Sequence, residues 1–563
     1  MRSRIAAIRR AVGVIACAAS IGVAVGAGSP ASAGAPASDP TRMLALPARS
    51  DIAPVMACGA LAQEDFTAIP GAPTTIGSAA TEAASAGRAE FCLVKGIIAP
   101  QIQFELRLPA HGYTGRYLQA GCGGNCGFIG THLSPPCEDR RAFDGTFAIA
   151  FENSGHVGAD MLDTLWAVNA PELRIDFAYR AAHVMSIAAK AIISAYYGRP
   201  PAHSYFQGCS DGGREGLEEA QRYPNDFNGI VVGAPAYWIS LMPLRLIWES
   251  RHGIDARGAP IFTRSALTVL HEAVIKACDR QDGVADGQID DSRDCHYDPR
   301  TLICKPGQAA GCITAPQAET ARAYYSGPVD AQGRDLYLGG EPYGSELTWL
   351  DAFSFLGGTL GDRQIRFQIY DGHPPPHFNW RTWRPDRKAL AGLLRHGSYF
   401  DASNPDLLRF RAAGGRLIIW QGAADSAAGP YGMFDYYQLV RDALGGFAGT
   451  RPFMRVFLVP GVYHCQGGYI PYEEDFLGAM VNWVERGAAP DRVLAAAILA
   501  DGTVRTRPLF PYPLKARYRG TGDINQAGNF IAVHPAHAPD DHYDWLGAGI
   551  PGSARPLEWQ QNR

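Results

Sequence analysis

Gly208-Cys209-Ser210-Asp211-Gly212 fits the G-x-S-x-G pattern of a nucleophile elbow, with a cysteine set against the serine. Its surroundings give the pattern weight. Residues 203–207 form a short strand-like run before it, 214–223 read as a helix after it, and 229–232 are an apolar strand beyond. Strand, sharp turn, helix and strand is the context in which such a serine stands clear at the top of an α/β sheet. A second cysteine, Cys465, directly follows His464. If Cys209 and Cys465 are bonded, their Cα atoms must lie within roughly 4.4–6.8 Å. Ser210 and His464 then become neighbours, as a nucleophile and its base must be.

Two further strand-and-loop units supply the partners. Residues 416–420 are apolar, end in Gly422-Ala423-Ala424-Asp425 and precede an amphipathic stretch over 433–444. Residues 454–459 run into Pro460-Gly461-Val462-Tyr463-His464. Asp425 and His464 therefore both fall just past the carboxyl ends of strands, where open α/β sheets build their sites. The order Ser, Asp, His is that of α/β-hydrolases. His464 is expected to take the Ser210 proton and return it to the leaving group, while Asp425 fixes the imidazole tautomer and stabilises the imidazolium. Asp435 is the poorer acid because it falls inside the helical pattern. The oxyanion donors are expected to be the Asp211 N–H and an N–H of the turn Gly121-Cys122-Gly123-Gly124-Asn125, either Gly123 or Gly124.

Around these motifs the chain divides. The first 33 residues hold Arg2, Arg4, Arg9 and Arg10, an apolar run over 11–27 and Ala31-Ser32-Ala33, the three parts of a secretory signal. Residues 34–52 read as an alanine-, proline- and serine-rich linker. Apolar runs at 91–98, 104–108, 116–120 and 146–151 read as strands, and 175–197 as a helix stopped by Gly198 and Pro200. The expectation is an α/β-hydrolase sheet with helices on both faces, its core split into 53–237 and 402–563 by a large inserted lid over 238–401.

No other segment approaches the ~18 uninterrupted apolar residues of a membrane span, and a formal net charge of −4 gives no basic footprint for nucleic acid. A secreted or periplasmic protein acting on a small molecule is expected, with neither nucleic acid nor membrane as partner.

Export makes the cysteines candidates for disulfides, and removal of Cys17 with the signal leaves eleven of the twelve. The proposed pairs are Cys58 with Cys92, Cys278 with Cys295, Cys304 with Cys312, and Cys209 with Cys465. Cys122, Cys126 and Cys137 remain, with Cys126 and Cys137 the preferred couple. Between Cys278 and Cys295 lies an acidic loop whose Asp279, Asp282 and Asp286, with the carbonyls of Val284 and Gln288, offer hard oxygen ligands suited to calcium. It departs from the EF-hand pattern, and its distance from the triad favours a structural role. No organic cofactor is implied. Aromatic residues of the lid, including Trp238, Trp248, Phe353, Phe355, Phe367 and Trp380, with Arg363 and Arg366, are candidates as a population for lining an acyl pocket.

From Cys58 to the segment around Pro511-Tyr512-Pro513, the chain resembles the tannase and feruloyl esterase family, which also includes mono(2-hydroxyethyl) terephthalate hydrolase. The family's Gly-Cys-Ser-x-Gly-Gly box is Gly208 to Gly213, its Gly-x-x-Asp turn is Gly422 to Asp425, and its Gly-x-x-His-Cys box is Gly461 to Cys465. The resemblance implies a bond between Cys209 and Cys465 beside the active site. It also implies calcium in the lid, held by Asp279, Asp282, Val284, Asp286 and Gln288. Two departures stand out: Phe510 and Ala532 occupy positions where relatives often place a cysteine pair, and Cys122 and Cys126 enter the oxyanion loop. The resulting expectation is a serine esterase cleaving esters of aromatic carboxylic acids through an acyl-Ser210 intermediate. Feruloyl or other hydroxycinnamoyl esters come first, galloyl esters second and terephthalate monoesters third. A non-catalytic extracellular binding protein on a hydrolase scaffold is the reading from a different class.

Overall fold

Residues 203–209, 229–233, 416–422 and 454–459 are buried along almost their whole length, as strands covered on both faces are. In the computed structural model they are the centre of a nine-stranded sheet. The structure describes residues 44–85, 87–129, 144–350 and 352–547, and the side chains of 352–356 lie outside that description. The signal segment and Cys137 therefore lie outside it too.

The sheet comprises β1 (Thr74–Glu82), β2 (Phe91–Ile98), β3 (Ile102–Pro109), β4 (Arg116–Ala120), β5 (Phe147–Glu152), β6 (His203–Cys209), β7 (Gly229–Gly233), β8 (Arg416–Gly422) and β9 (Met454–Val459). Their spatial order is β1-β2-β3-β5-β4-β6-β7-β8-β9. The pairs from β5 to β9 are parallel, whereas β1, β2, β3 and β5 pair antiparallel. Alternate residues of each strand enter different cores. Phe206, Ile230, Val232, Leu417 and Ile419 pack with helices Ala181–Tyr197, Asp211–Arg222 and Pro430–Leu444. Tyr205, Val231, Ile418 and Trp420 pack with helix Phe476–Arg486 on the opposite face. Helices on both faces thus follow from the period of two along each strand.

Three elements differ from the sequence expectation. β1 went unread because its TTIGSAATE sequence is small and polar and mostly exposed, so it lacks the alternation that marks a half-buried strand. The helix expected over 175–197 starts earlier, at Pro171, and is interrupted by a widened turn at Asp176–Arg180 before it runs on from Ala181 to Tyr197. Past His464, the chain adds a three-stranded sheet, Glu473–Glu474, Val493–Ile498 and Val504–Leu509, and a strand pair, Lys515–Tyr518 with Phe530–Val533. Ala532 lies opposite Ala516 in that pair, so backbone bonds tie down the segment where relatives often carry a cysteine.

Between β7 and β8 the chain leaves the sheet and forms helices, among them Met242–Gly253, Arg264–Cys278, Ala315–Ser326, Ala352–Arg363 and Arg387–Gly397. Phe262, Leu267, Leu270, Val274, Tyr324 and Trp349 build a separate core there.

Candidate active site

Ser210 occupies the one-residue gap between β6 and helix Asp211–Arg222 with φ 63° and ψ −119°. A side chain rarely adopts a positive φ, and this one is imposed from both sides. The Ser210 N–H donates to Gly233 O on β7 at 3.0 Å, while its carbonyl accepts from Arg214 N–H at 3.1 Å and Ala236 N–H at 3.1 Å. The close turn needs glycine on the helix: a Cβ on Gly212 would stand 2.7 Å from Cys122 O, and one on Gly213 would stand 2.5 Å from Gly233 O. These glycines, poor helix formers, also explain why the sequence reading starts the helix at residue 214 when it begins at Asp211.

His464 and Asp425 arrive from the ends of β9 and β8. His464 Nε2 lies 2.8 Å from Ser210 Oγ and its Nδ1 lies 2.9 Å from Asp425 Oδ2. Asp425 is fully buried, whereas the His464 side chain keeps 20% of its exposure. The carboxylate is nevertheless well solvated by protein: Oδ2 also accepts Gln421 Nε2 at 2.7 Å, and Oδ1 accepts the N–H groups of Ala427 at 2.8 Å and Ala428 at 3.0 Å. Burial pushes its pKa upward, but the pull of His464 and these donors holds it below the ordinary carboxylate value. Asp435 lies on helix Pro430–Leu444, with burial pushing its carboxyl up to about 7.

The turn bearing Asp425 is braced by the insertion. Arg245 donates to Ser426 O at 2.5 Å and to Ala427 O, and it pairs with Glu249 and Glu341, each at 3.2 Å. Thr348 Oγ1 adds a 2.7 Å bond to Ser426 Oγ. Cys209 and Cys465 are bonded with Cα atoms 5.9 Å apart, so a covalent link lies beside the residues on either side of the Ser210–His464 contact. The other expected pairs also form: Cys58–Cys92, Cys278–Cys295 and Cys304–Cys312.

The glycine turn after β4 packs directly behind the elbow. Asp211 is the first residue of its helix, so its N–H has no partner within that helix. Among the described residues, the N–H groups of Gly123 and Gly124 also donate to nothing. The expected bond from Cys126 to Cys137 is not what the structure contains: Cys126 is bonded to Cys122, with Cα atoms 5.6 Å apart. Positive φ at Gly124 and Cys126, with a Cys126 N–H to Gly123 O bond of 3.1 Å, folds the turn back so that the two sulfurs meet.

Several residues of this site escaped the sequence reading. Glu215, on the elbow helix, accepts Cys122 N–H at 3.0 Å and Ser154 Oγ at 2.9 Å. Glu152 accepts Ser154 N–H and lies close enough to Glu215 to push its own carboxyl well above the ordinary range, after burial as the larger cause. The Asp211 carboxylate lies beside the Cys122–Cys126 sulfurs and pairs with Arg214, whose guanidinium also donates to Ala178 O and Phe177 O. The one available signal was placement on the elbow helix. Cys122, Cys126, Asp211 and Glu215 bring ligand atoms within 4.8 Å of one another, but both sulfurs are committed to the disulfide.

The acidic loop follows helix Arg264–Cys278. Asp279 Oδ1 accepts the N–H groups of Asp286, Gly287 and Gln288 at 2.9, 2.9 and 3.1 Å, and Asp282 Oδ1 accepts Val284 N–H at 3.0 Å. Arg507 pairs with Asp286 Oδ2, leaving Oδ1 buried and without a donor. Burial and the Asp282 charge push Asp290 up to about 8, placing another crowded carboxylate beside the expected set. Asp291, in contrast, is bound to Arg293 and Lys515. An orphaned buried carboxylate oxygen among crowded acids fits a hard divalent cation.

Of the aromatics expected to line an acyl pocket, Trp238 is buried in the main core and Trp248 donates its indole N–H to Ala323 O at 2.7 Å. Arg366 is held by Asp362 and Phe378 O. Phe353 and Phe355 lie outside the described side chains.

A family model described as tannase and feruloyl esterase matches residues 88–533 of the chain. The chain is 32% identical over 533 residues to mono(2-hydroxyethyl) terephthalate hydrolase of Piscinibacter sakaiensis, covering 81% of this chain and 87% of that relative. It is 33% identical over 440 residues to a probable feruloyl esterase of Arthroderma benhamiae, covering 74% and 80% respectively. Among solved structures it is similar to feruloyl esterase B from Aspergillus oryzae, with a TM-score of 0.74 at 26% identity over 85% of this chain and 100% of that one.

Proposed function

The chain belongs to the tannase and feruloyl esterase family, and from that premise we propose that it hydrolyses esters of aromatic carboxylic acids, hydroxycinnamoyl esters first, with Ser210, His464 and Asp425 as its catalytic triad. The observation that carries the reading is the continuous hydrogen-bonded path Ser210 Oγ, His464 Nε2, His464 Nδ1, Asp425 Oδ2 at the carboxyl ends of three parallel strands.

In this mechanism His464 Nε2 takes the Ser210 proton as Oγ bonds to the ester carbonyl carbon. The negative charge moves to the carbonyl oxygen, where the N–H of Asp211 and that of Gly123 or Gly124 receive it. His464 then gives its proton to the departing alkoxide, the ester C–O bond breaks, and acyl-Ser210 remains. Water deprotonated by the same nitrogen attacks the acyl carbon, the bond from that carbon to Ser210 Oγ breaks to release the acid, and His464 Nε2 returns the proton to Oγ. Asp425 keeps the Nδ1 proton in place and stabilises the imidazolium between the two half-reactions.

Calcium would be held by Asp279, Asp282, Asp286 and the carbonyls of Val284 and Gln288. It would supply charge neutralisation that stiffens the insertion, away from the reacting atoms. The disulfides support a secreted or periplasmic location, because such bonds persist in oxidising compartments. No helix among the described residues is long and apolar enough to cross a membrane.

Similarity to mono(2-hydroxyethyl) terephthalate hydrolase favours terephthalate monoesters as a second reading. The test is turnover of methyl ferulate, methyl gallate, mono(2-hydroxyethyl) terephthalate and a short p-nitrophenyl ester by residues 34–563, with Ser210→Ala alongside. Preference for one aromatic acid, lost in the variant, is the expected result. Folded, calcium-loaded protein that cleaves none of the aromatic esters overturns the aromatic assignment, and equal turnover by Ser210→Ala overturns the triad.

A further inference from the structure

Toward the C-terminal end of the elbow helix, the end away from Ser210, three potential ligands converge. His183 stands on helix Ala181–Tyr197, Glu219 on helix Asp211–Arg222, and Asp226 in the loop that leads into β7. One nitrogen or oxygen from each lies within 4.8 Å of the others. His183 Nδ1 is 2.6 Å from Asp226 Oδ2, with the imidazole stacked on Tyr223 at 3.6 Å between ring centroids. Ser186 Oγ donates to the same Asp226 oxygen at 3.0 Å.

Glu219 is the anomaly. It is 1% exposed, and neither of its carboxylate oxygens has a hydrogen-bond partner. A buried carboxylate left unsatisfied costs free energy and calls for an explanation. The nearby cation does not provide one. Lys190 Nζ donates to the backbone carbonyl of Asp226 at 2.5 Å and to Ser186 Oγ at 3.4 Å, not to Glu219. The His183 and Asp226 side chains keep 25% and 15% of their exposure, so the cluster is open to solvent on one side.

We propose that His183, Glu219 and Asp226 bind one borderline divalent cation of the zinc class, tying helix Ala181–Tyr197 to the elbow helix and its exit loop. One imidazole nitrogen and two carboxylate oxygens form a three-ligand set that leaves the solvent side for water. The imidazole favours zinc over calcium or magnesium, which prefer all-oxygen sites. The ion would satisfy Glu219 and link two helices of the same core across the connection between them.

The test is calorimetric titration of the full mature protein with zinc in excess calcium, so that the acidic loop does not compete, alongside thermal melts and the visible absorption of added cobalt. Glu219→Gln preserves shape, and His183→Phe preserves the ring over Tyr223 while removing both nitrogens. His542→Asn is the control, because that exposed histidine also touches Asp442 and Asp540. The expected result is a saturable site in wild type and the control, with a raised melting temperature. Each of the two site variants should lose at least about tenfold in affinity, together with the cobalt bands. Zinc binding unchanged in a folded Glu219→Gln protein, or no saturable site in wild type, overturns the assignment.

Discussion

The Glu215 carboxylate on the elbow helix accepts the backbone N–H of Cys122 in the glycine turn at 3.0 Å, joining segments 93 residues apart in the chain. Both segments contribute to the proposed oxyanion site, so this bond sets their spacing. Burial, then the charge of Asp211, push the Glu215 carboxyl up to about 7. A carboxyl raised in the folded state stabilises fully below its ordinary value, and that contribution is lost as pH rises through the folded value. In Glu215→Gln, which does not titrate, the melting temperature should gain on that of wild type as pH rises from about 4.5 to about 7. A constant difference between the two across that window contradicts the assignment.

Asp425 acts with the opposite sign. Its folded pKa lies below 3.8, so its contribution is present above that pH and is lost as pH falls through the lowered value. In Asp425→Asn, the acid limb of the stability profile should flatten, and kcat should fall by about 10⁴-fold as the imidazole loses the partner that fixes its tautomer. Wild-type turnover in this variant sinks its role.

Substitution of Ser210 or His464 by alanine should each cost about 10⁶-fold in kcat with little change in KM, and the double variant should be no slower than either single one. Losses that multiply would mean that the two residues act independently despite their 2.8 Å contact.

The Cys209–Cys465 bond closes a loop of 256 residues. Its removal in Cys209→Ser/Cys465→Ser should destabilise by up to ~5 kcal/mol in the chain-entropy picture. Turnover should fall further than unfolding accounts for, because Cys465 and His464 are adjacent. Denaturant melts combined with kinetics in the native range separate the effects, and full activity in a folded double variant shows that the bond does not position the histidine.

Chelation should lower the melting temperature and leave the substrate ranking unchanged. A cation present at 100 times its Kd contributes ~2.7 kcal/mol. Asp286→Asn should abolish the response to added calcium, because Asp286 Oδ1 is buried without another partner. Metal analysis that finds no calcium in fully active protein rules out this role for the loop.

The parallel half of the fold and the three proposed catalytic residues were legible because they depend on local signals. These were apolar runs ending in small-residue turns, and cysteines adjacent to Ser210 and His464. What stayed hidden depends on long-range contacts. β1 carries too little apolar surface to show alternation, and it is a strand because β2 offers it an edge. The Cys122–Cys126 bond requires a turn conformation that no spacing rule encodes. Glu215, Glu152 and Ser154 form a buried polar network from two segments 61 positions apart in the chain, so none stands out alone.

The helical insertion separates β7 from β8, its parallel neighbour in the sheet. At a synthesis rate of ~5–20 residues per second, the 182 residues between Gly233 at the end of β7 and Arg416 at the start of β8 take about 9–36 s to emerge from the ribosome. During that interval β7 has no β8 to pair with, and its backbone edge is open to any other strand. The newly made chain is therefore most exposed to aggregation well before its final strands exist, and yield should respond to chaperones and growth temperature more strongly than the finished molecule's stability would indicate.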